Sequence, residues 1–190
     1  MSFLMKHQIK QILLSAPSKR RSGIKMPSVK FIVAHDTGNE GSTARANVMY
    51  YERSKNENSA SAHFFVDGLE IIECIPVFKD TEKAWHVLYN VDTDNLKYGY
   101  NANDAAIGIE LCYGGQVNNM EAYKKYVWLI AYICYTFKLT PHKHIVGHDE
   151  LDPKRKTDPA NALKHIGKTI LNLIDDVEKE LIECSPKKKV

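Results

Sequence analysis

Val29–Asn39 reads VKFIVAHDTGN, a dense apolar run from Val29 to Ala34 that stops on His35-Asp36-Thr37-Gly38-Asn39. An apolar run this dense, broken only by Lys30, predicts a buried strand. Small and polar residues at the end of such a strand mark the edge where open α/β sheets carry their chemistry. The expected fold class is therefore α/β, a single domain with a mixed central β-sheet flanked by α-helices.

Working outward, Ser42 or Thr43 caps a helix running to Lys55, with Val48, Met49 and Tyr51 on its buried face. Ala62–Val66 and Leu69–Pro76 are β-type runs joined by Asp67-Gly68, the signal for an antiparallel hairpin. Ala106–Tyr113 (AIGIELCY) is a further strand, apolar except for Glu110. Met120–Phe137 has the longest helical periodicity. His144–Gly147 reads as a short strand, Asp149–Pro159 as a proline-broken loop, and Leu163–Ile182 as a closing amphipathic helix. Ahead of the first strand, residues 5–14 suit a short amphipathic helix, and Ala16–Pro27 an ordered arm. The organisation expected is residues 1–27 as helix and arm packed on the domain, 28–183 as the domain proper, and 184–190 as a basic tail or linker remnant.

The hydrophobic fraction of 44% and charged fraction of 26% are ordinary globular values. A net charge of +3 does not argue for nucleic acid. Much of its excess sits in two runs that read as solvated segments, Lys19-Arg20-Arg21 and Lys187-Lys188-Lys189. No signal peptide or membrane-spanning run is apparent, and nothing calls for more than a monomer. Cys74, Cys112, Cys134 and Cys184 are widely spaced, and three of them lie in apolar runs. That pattern suits free thiols made in a reducing compartment.

Chemistry concentrates in two places. His35 ends the buried strand, and His148 opens a loop, His148–Pro159, long enough to fold back on itself. Two neutral imidazoles and one carboxylate are a usual catalytic zinc set, with a fourth position left open. From spacing, Asp158 competes with Asp149, Glu150 and Asp152 for the carboxylate role. Glu110 is a carboxylate in an apolar strand, which requires an ion pair or a function. Desolvation would raise its pKa and suit it to proton transfer. Lys156 either stabilises a developing oxyanion or is simply solvated. His7, His142, His144 and His165 read as surface residues.

These residues resemble the zinc-dependent N-acetylmuramoyl-L-alanine amidases of the type-2 amidase and peptidoglycan-recognition-protein superfamily. The likeness runs from Ser22 to Asp158 and rests on five ordered pieces: His35–Asn39, Ser61–Gly68, Ala84-Trp85-His86, Ile107–Glu110, and His148 with Lys156 and Asp158. It implies zinc held by His35, His148 and Asp158, with Glu110 and Lys156 catalytic. Trp85, His86, Asn39 and His63 would border the substrate, Trp85 and His86 as contacts and His63 in a more structural position. Some members carry a catalytic tyrosine where this chain has Ala62 and tend to lack the strand glutamate, so Glu110 places the chain in the glutamate-using branch. The implied reaction cleaves the bond between N-acetylmuramic acid and L-alanine in Gram-positive peptidoglycan. Ser22–Met26 resembles the arm of phage endolysins, which are held in the host cytoplasm until release to the cell wall. A zinc peptidase cutting within the stem peptide would use similar ligands. A non-catalytic peptidoglycan-binding module typically loses a ligand, and this chain keeps all three candidates.

Overall fold

The computed structural model describes residues 2–186. Lys187, Lys188 and Lys189, the charged part of the expected basic tail, lie outside the described residues. Six strands among the described residues form one sheet: β1 (Ile9–Gln11), β2 (Phe31–Asp36), β3 (Phe64–Val66), β4 (Ile71–Glu73), β5 (Ala106–Leu111) and β6 (Ile145–Gly147). Their spatial order is β1-β4-β3-β5-β2-β6. The helices are α1 (Ala44–Arg53), α2 (Thr93–Tyr98), α3 (Ala102–Ala105), α4 (Asn119–Phe137), α5 (Pro141–His144), α6 (His148–Leu151), α7 (Ala160–Lys164) and α8 (Ile170–Cys184).

The quoted stretch becomes β2, buried at every position, running parallel to β5 on one side and β6 on the other. The sheet is mixed because the hairpin of β3 and β4 supplies an antiparallel pair. Strand side chains alternate between faces. Ile32, Ala34, Ile107, Ile109 and Ile145 therefore share one face, packed against α4 and α8. From α4, Tyr126, Trp128, Leu129 and Ile133 are fully buried there, each large side chain worth about 1.5–3 kcal/mol. On the opposite face Phe31, Val33 and Val146 lie under α3 and Tyr98, and Phe65 and Ile72 lie under α1. His35, Gly108 and Glu110 emerge on that second face between the two small clusters.

Residues 5–14 are not helical. Ile9–Gln11 is a strand parallel to β4, and the pairing continues through Ile12 N–H to Glu73 (3.0 Å) and Leu14 N–H to Cys74 (3.0 Å). A single ten-residue helix is marginal in water, whereas the open edge of β4 offers a row of backbone partners. The expected closing helix is two helices, α7 and α8, broken at Gly167, whose φ of +64° no helix accommodates. Thr43 caps α1, which ends at Arg53 rather than Lys55, and Met49 is exposed rather than buried. His144 belongs to α5 instead of β6, and the Asp149–Pro159 loop begins within the single turn of α6. No helix among the described residues is long and apolar enough to cross a membrane.

Asp67 ties the hairpin to α1. Its Oδ1 accepts from the N–H groups of Leu69 (2.7 Å) and Glu70 (2.8 Å), and its Oδ2 from Ala44 N–H at the start of α1 (2.8 Å). The side chain is buried, so its loss strands donors on both elements. Asp67→Ala is expected to cost about 3 kcal/mol in urea unfolding, and Asp67→Asn less.

Candidate active site

The strand register sets the first part of the site. His35 on β2 stands beside Glu110 on β5, and Ala34 stands beside Gly147 on β6. The residue after Gly147, His148, therefore falls level with His35. The loop beyond α6 then folds back. Asp149 N–H donates to the Asp158 carbonyl (2.8 Å). Asp36 fastens the far side of the loop, accepting from Ala162 N–H (3.1 Å) and Asn161 Nδ2 (3.2 Å).

The outcome is a tight triangle. Asp158 Oδ2 lies 2.9 Å from His35 Nδ1 and 3.0 Å from His148 Nδ1, and one ligand atom from each residue lies within 4.8 Å of the others. The competing carboxylates are engaged elsewhere. Asp149 Oδ1 accepts from Glu150 N–H (2.9 Å), Glu150 pairs with Lys97, and Asp152 pairs with Arg155.

Hydrogen-bond logic decides what this triangle can hold. His86 Nε2 faces the Ala106 carbonyl at 3.3 Å, which can only accept, so the His86 proton sits on Nε2. His86 Nδ1 then accepts from His35 Nε2–H at 3.0 Å. Burial lowers the pKa of His35 to about 4, so at neutral pH that is its one ring proton. The Nδ1 lone pair of His35 accordingly confronts a carboxylate oxygen at 2.9 Å. Two acceptors at that distance repel unless a cation lies between them. Two imidazole nitrogens and a carboxylate oxygen, with room for one more ligand, fit a divalent zinc ion.

Glu110 is the one position of β5 that is not fully buried, and it lines the same cleft of about 340 Å³. Its Oε2 has no hydrogen-bond partner among the described residues. Burial raises its pKa well above the ordinary range, helped by the charges of Asp158 and Asp36 and opposed by Lys156. Lys156 and Trp85 line the cleft with it. Trp85 is anchored by its N–H to Ser61 Oγ (2.9 Å) and its carbonyl to Ser61 N–H (3.0 Å).

Two expected substrate neighbours have other work. His86 is buried with both ring nitrogens bonded inside the protein, so it orients His35 and offers the substrate no free nitrogen. His63 is fully buried, with Nδ1 accepting from Gly108 N–H (3.0 Å) and Nε2 donating to the Glu82 carbonyl (2.9 Å). Gly108 is needed here, since a Cβ would meet the His86 ring at 2.6 Å. Asn39 lines a neighbouring chamber instead of the cleft that holds His35, His148 and Asp158. His142 and His165 are exposed, but His7 is partly buried edge-on to Trp128 (5.2 Å), and His142 does find acidic partners in Asp175 and Glu178 (both 3.3 Å). All four cysteines are free and buried.

Sequence reasoning missed Asp36 and Tyr126. The Tyr126 hydroxyl, reaching from α4, accepts from His35 N–H (3.1 Å) and lies 3.1 Å from the Ile109 carbonyl, to which it donates. It thus bridges β2 and β5 at the level of the site. Asp36 adjoins His35, and its position was the available signal. Tyr126 looks like any other aromatic residue on a core-facing helix.

Residues 25–161 match the family model described as N-acetylmuramoyl-L-alanine amidase. The chain is 32% identical over 141 residues to a Bacillus licheniformis protein named "Probable N-acetylmuramoyl-L-alanine amidase", covering 70% of this chain and 38% of that one. It is 30% identical over 148 residues to the N-acetylmuramoyl-L-alanine amidase BlyA of Bacillus subtilis (strain 168), covering 73% and 39%. The chain thus spans about two fifths of the length of these curated relatives. Among solved structures, the catalytic domain of XlyA superposes with a TM-score of 0.68 at 24% identity, over 92% of this chain and 99% of that one. The Staphylococcus aureus hydrolase AmiA, solved with its ligand, gives 0.72 at 21% identity, over 94% and 85%. These likenesses establish the fold.

Two measurements test the wiring. Tyr126→Phe should strand the buried His35 N–H and lower unfolding stability by about 1–3 kcal/mol; an unchanged denaturation midpoint would contradict the bridge. Burial lowers the pKa of His63 to about 4 from an ordinary 6.5. Its stabilising contribution is therefore complete above pH 6.5 and is lost as pH falls through 4, a loss of roughly 3 kcal/mol. In an NMR titration the His63 ring should stay neutral at pH 5.5; a midpoint near 6.5 would refute this.

Proposed function

The chain belongs to the family of N-acetylmuramoyl-L-alanine amidases, and on that premise we propose that it hydrolyses the amide between the lactyl group of N-acetylmuramic acid and L-alanine in peptidoglycan. The observation that carries this reading is the convergence of His35, His148 and Asp158 in a cleft that also holds a buried, unpartnered carboxylate oxygen of Glu110. His35 Nδ1, His148 Nδ1 and Asp158 Oδ2 would hold a zinc ion. When bound, zinc supplies a Lewis-acidic centre that polarises the scissile carbonyl.

The chain's own residues do the rest. Glu110, with its raised pKa, takes a proton from the attacking water and delivers it to the departing L-alanine nitrogen, so that the carbonyl carbon gains an oxygen as the C–N bond breaks. Lys156 supplies positive charge beside the carbonyl oxygen as that oxygen becomes negative. His86 keeps the His35 lone pair aimed into the cleft, and Trp85 gives the rim an aromatic wall against the substrate.

In the same reading the protein is a phage endolysin acting as a monomer on Gram-positive walls, made in the host cytoplasm and reaching the cell wall on release. Support comes from its relatives in Bacillus and from its fold likeness to a structure titled "Mutant endolysin from Bacillus subtilis" (TM-score 0.68, 24% identity). Four unpaired cysteines agree with synthesis in a reducing compartment.

Digestion of purified Gram-positive walls should expose new L-alanine N-termini on intact stems, read by mass spectrometry. N-termini of D-glutamate or of the diamino acid would replace the amidase reading with a stem peptidase. Chelator should abolish turnover, and added zinc restore it. Glu110→Gln should keep the metal and lose about 10²–10⁴-fold in rate; loss of zinc in that variant would make Glu110 a ligand.

A further inference from the structure

Beyond Glu110 the cleft continues into a second chamber of about 330 Å³. Thr37, Tyr51, Ala60 and Glu110 line both spaces. The inner wall of the chamber carries Arg20, from the arm that precedes β2, and Arg20 is only 2% exposed.

The surroundings of Arg20 leave its charge unanswered. Nε and Nη2 donate to Ser54 Oγ (3.2 and 2.9 Å), and Nη1 donates to the Ala60 carbonyl. The guanidinium lies 4.0 Å over the Tyr51 ring and 5.4 Å from that of Tyr50. None of these partners is an anion, and no carboxylate comes within ion-pair distance among the described residues. Its neighbour Arg21, by contrast, is held in a two-pronged pair with Glu82 (2.8 and 2.9 Å). A guanidinium has five N–H donors, and three are used. A buried cation without a counter-charge is costly, and here it borders an open chamber beside the reaction centre.

We propose that this chamber, with Arg20 as its anchor, receives the free carboxylate of the acidic stem-peptide residue that follows L-alanine. The inference rests on the amidase reading and names a specificity determinant within it. The chemistry of the polymer selects the peptide side. The N-acetylhexosamines are uncharged once the lactyl group is in amide linkage, and D-isoglutamate is the first residue past the scissile bond to bear a carboxylate. Asn39, Asn47 and Asn58 also line the chamber and provide amide groups for the peptide backbone. Asn47 spends its Nδ2 on the Thr43 carbonyl (2.9 Å) and Cys112 Sγ (3.7 Å), which leaves its Oδ1 to accept. Walls whose second residue is amidated to D-isoglutamine would lose the charge that Arg20 recognises.

The test compares the γ-methylamides of L-alanyl-D-isoglutamate and L-alanyl-D-isoglutamine, which differ only in the α-carboxylate, binding to the zinc-loaded wild-type chain by calorimetry. Neither peptide contains the scissile bond, so turnover does not interfere. The acid should bind about tenfold more tightly, equivalent to ~1.4 kcal/mol, as charge-assisted hydrogen bonds require. Arg20→Gln, checked for folding by circular dichroism, should bring the ratio to near one, and Arg20→Lys should retain part of it. Equal binding of the two peptides by the wild type overturns the proposal, as does an undiminished ratio in folded Arg20→Gln. Should Arg20→Gln fail to fold, the wild-type comparison and Arg20→Lys decide it. An acid preference in a protein that releases no L-alanine N-termini from walls would retain the chamber and reject the amidase reading.

Discussion

The parallel register of β5, β2 and β6 is the constraint on which the rest of the site depends. It sets Glu110 beside His35 and brings His148 level with them. A slip of one residue would turn each strand's side chains to the opposite face. His35 and Glu110 would then point into the apolar layer beneath α4, and their neighbours Ala34 and Ile109 would face the cleft. The apolar burial that fixes the register therefore also fixes the chemistry. Tyr126 fastens the same point from below, joining His35 N–H to the Ile109 carbonyl through its hydroxyl.

Position alone would not fit His35 to hold a metal, because an imidazole can present either a proton or a lone pair. The choice is passed from the Ala106 carbonyl through His86 to His35, each group determining the next. Ala106 and Gly108 belong to the strand that also carries Glu110. One strand thus provides the acceptor that orients His35 through His86, the gap that admits His86, and Glu110 itself. Partners behind a metal ligand generally orient it, and here the relay runs from a backbone carbonyl of β5 through the His86 ring to His35.

The apolar density of Val29–Ala34 was enough to read a central strand and the edge of the site, because burial on both faces leaves no room for polar residues. The Asp67-Gly68 hairpin was equally legible, since its turn chemistry is local. The N-terminal segment misled because Ile9–Gln11 has no strong periodicity of its own and takes its conformation from the free edge of β4. The break at Gly167 was missed because the apolar spacing of Leu163–Ile182 continues through it. His35 stood out as a polar exception at a strand end and His148 at the head of a proline-broken loop, but Asp158 was one of four carboxylates in that loop and only the family spacing singled it out. His63 takes the structural position expected of it, whereas the bonding of His86 could not be read in advance: adjacency to a site is visible in a motif, but which ring atoms are already bonded depends on a fold that brings Ala106, Gly108 and Glu82 to them.

The two faces of the sheet divide the labour of the molecule. Long helices α4 and α8 cover one face, over the largest apolar cluster of the molecule. The other face is covered by α1, α3 and the arm, in smaller clusters separated at the carboxyl ends of β2 and β5. Cleft and chamber occupy that gap, where His35 and Glu110 stand on strands while His148, Lys156 and Asp158 come from α6 and the loop that follows it. The arm holds its place by β1 pairing at the sheet edge and by the Arg21–Glu82 pair. Those contacts free the adjacent Arg20 from a structural counter-ion, which is how a segment that stabilises the edge of the sheet also provides the unpaired cation at the cleft.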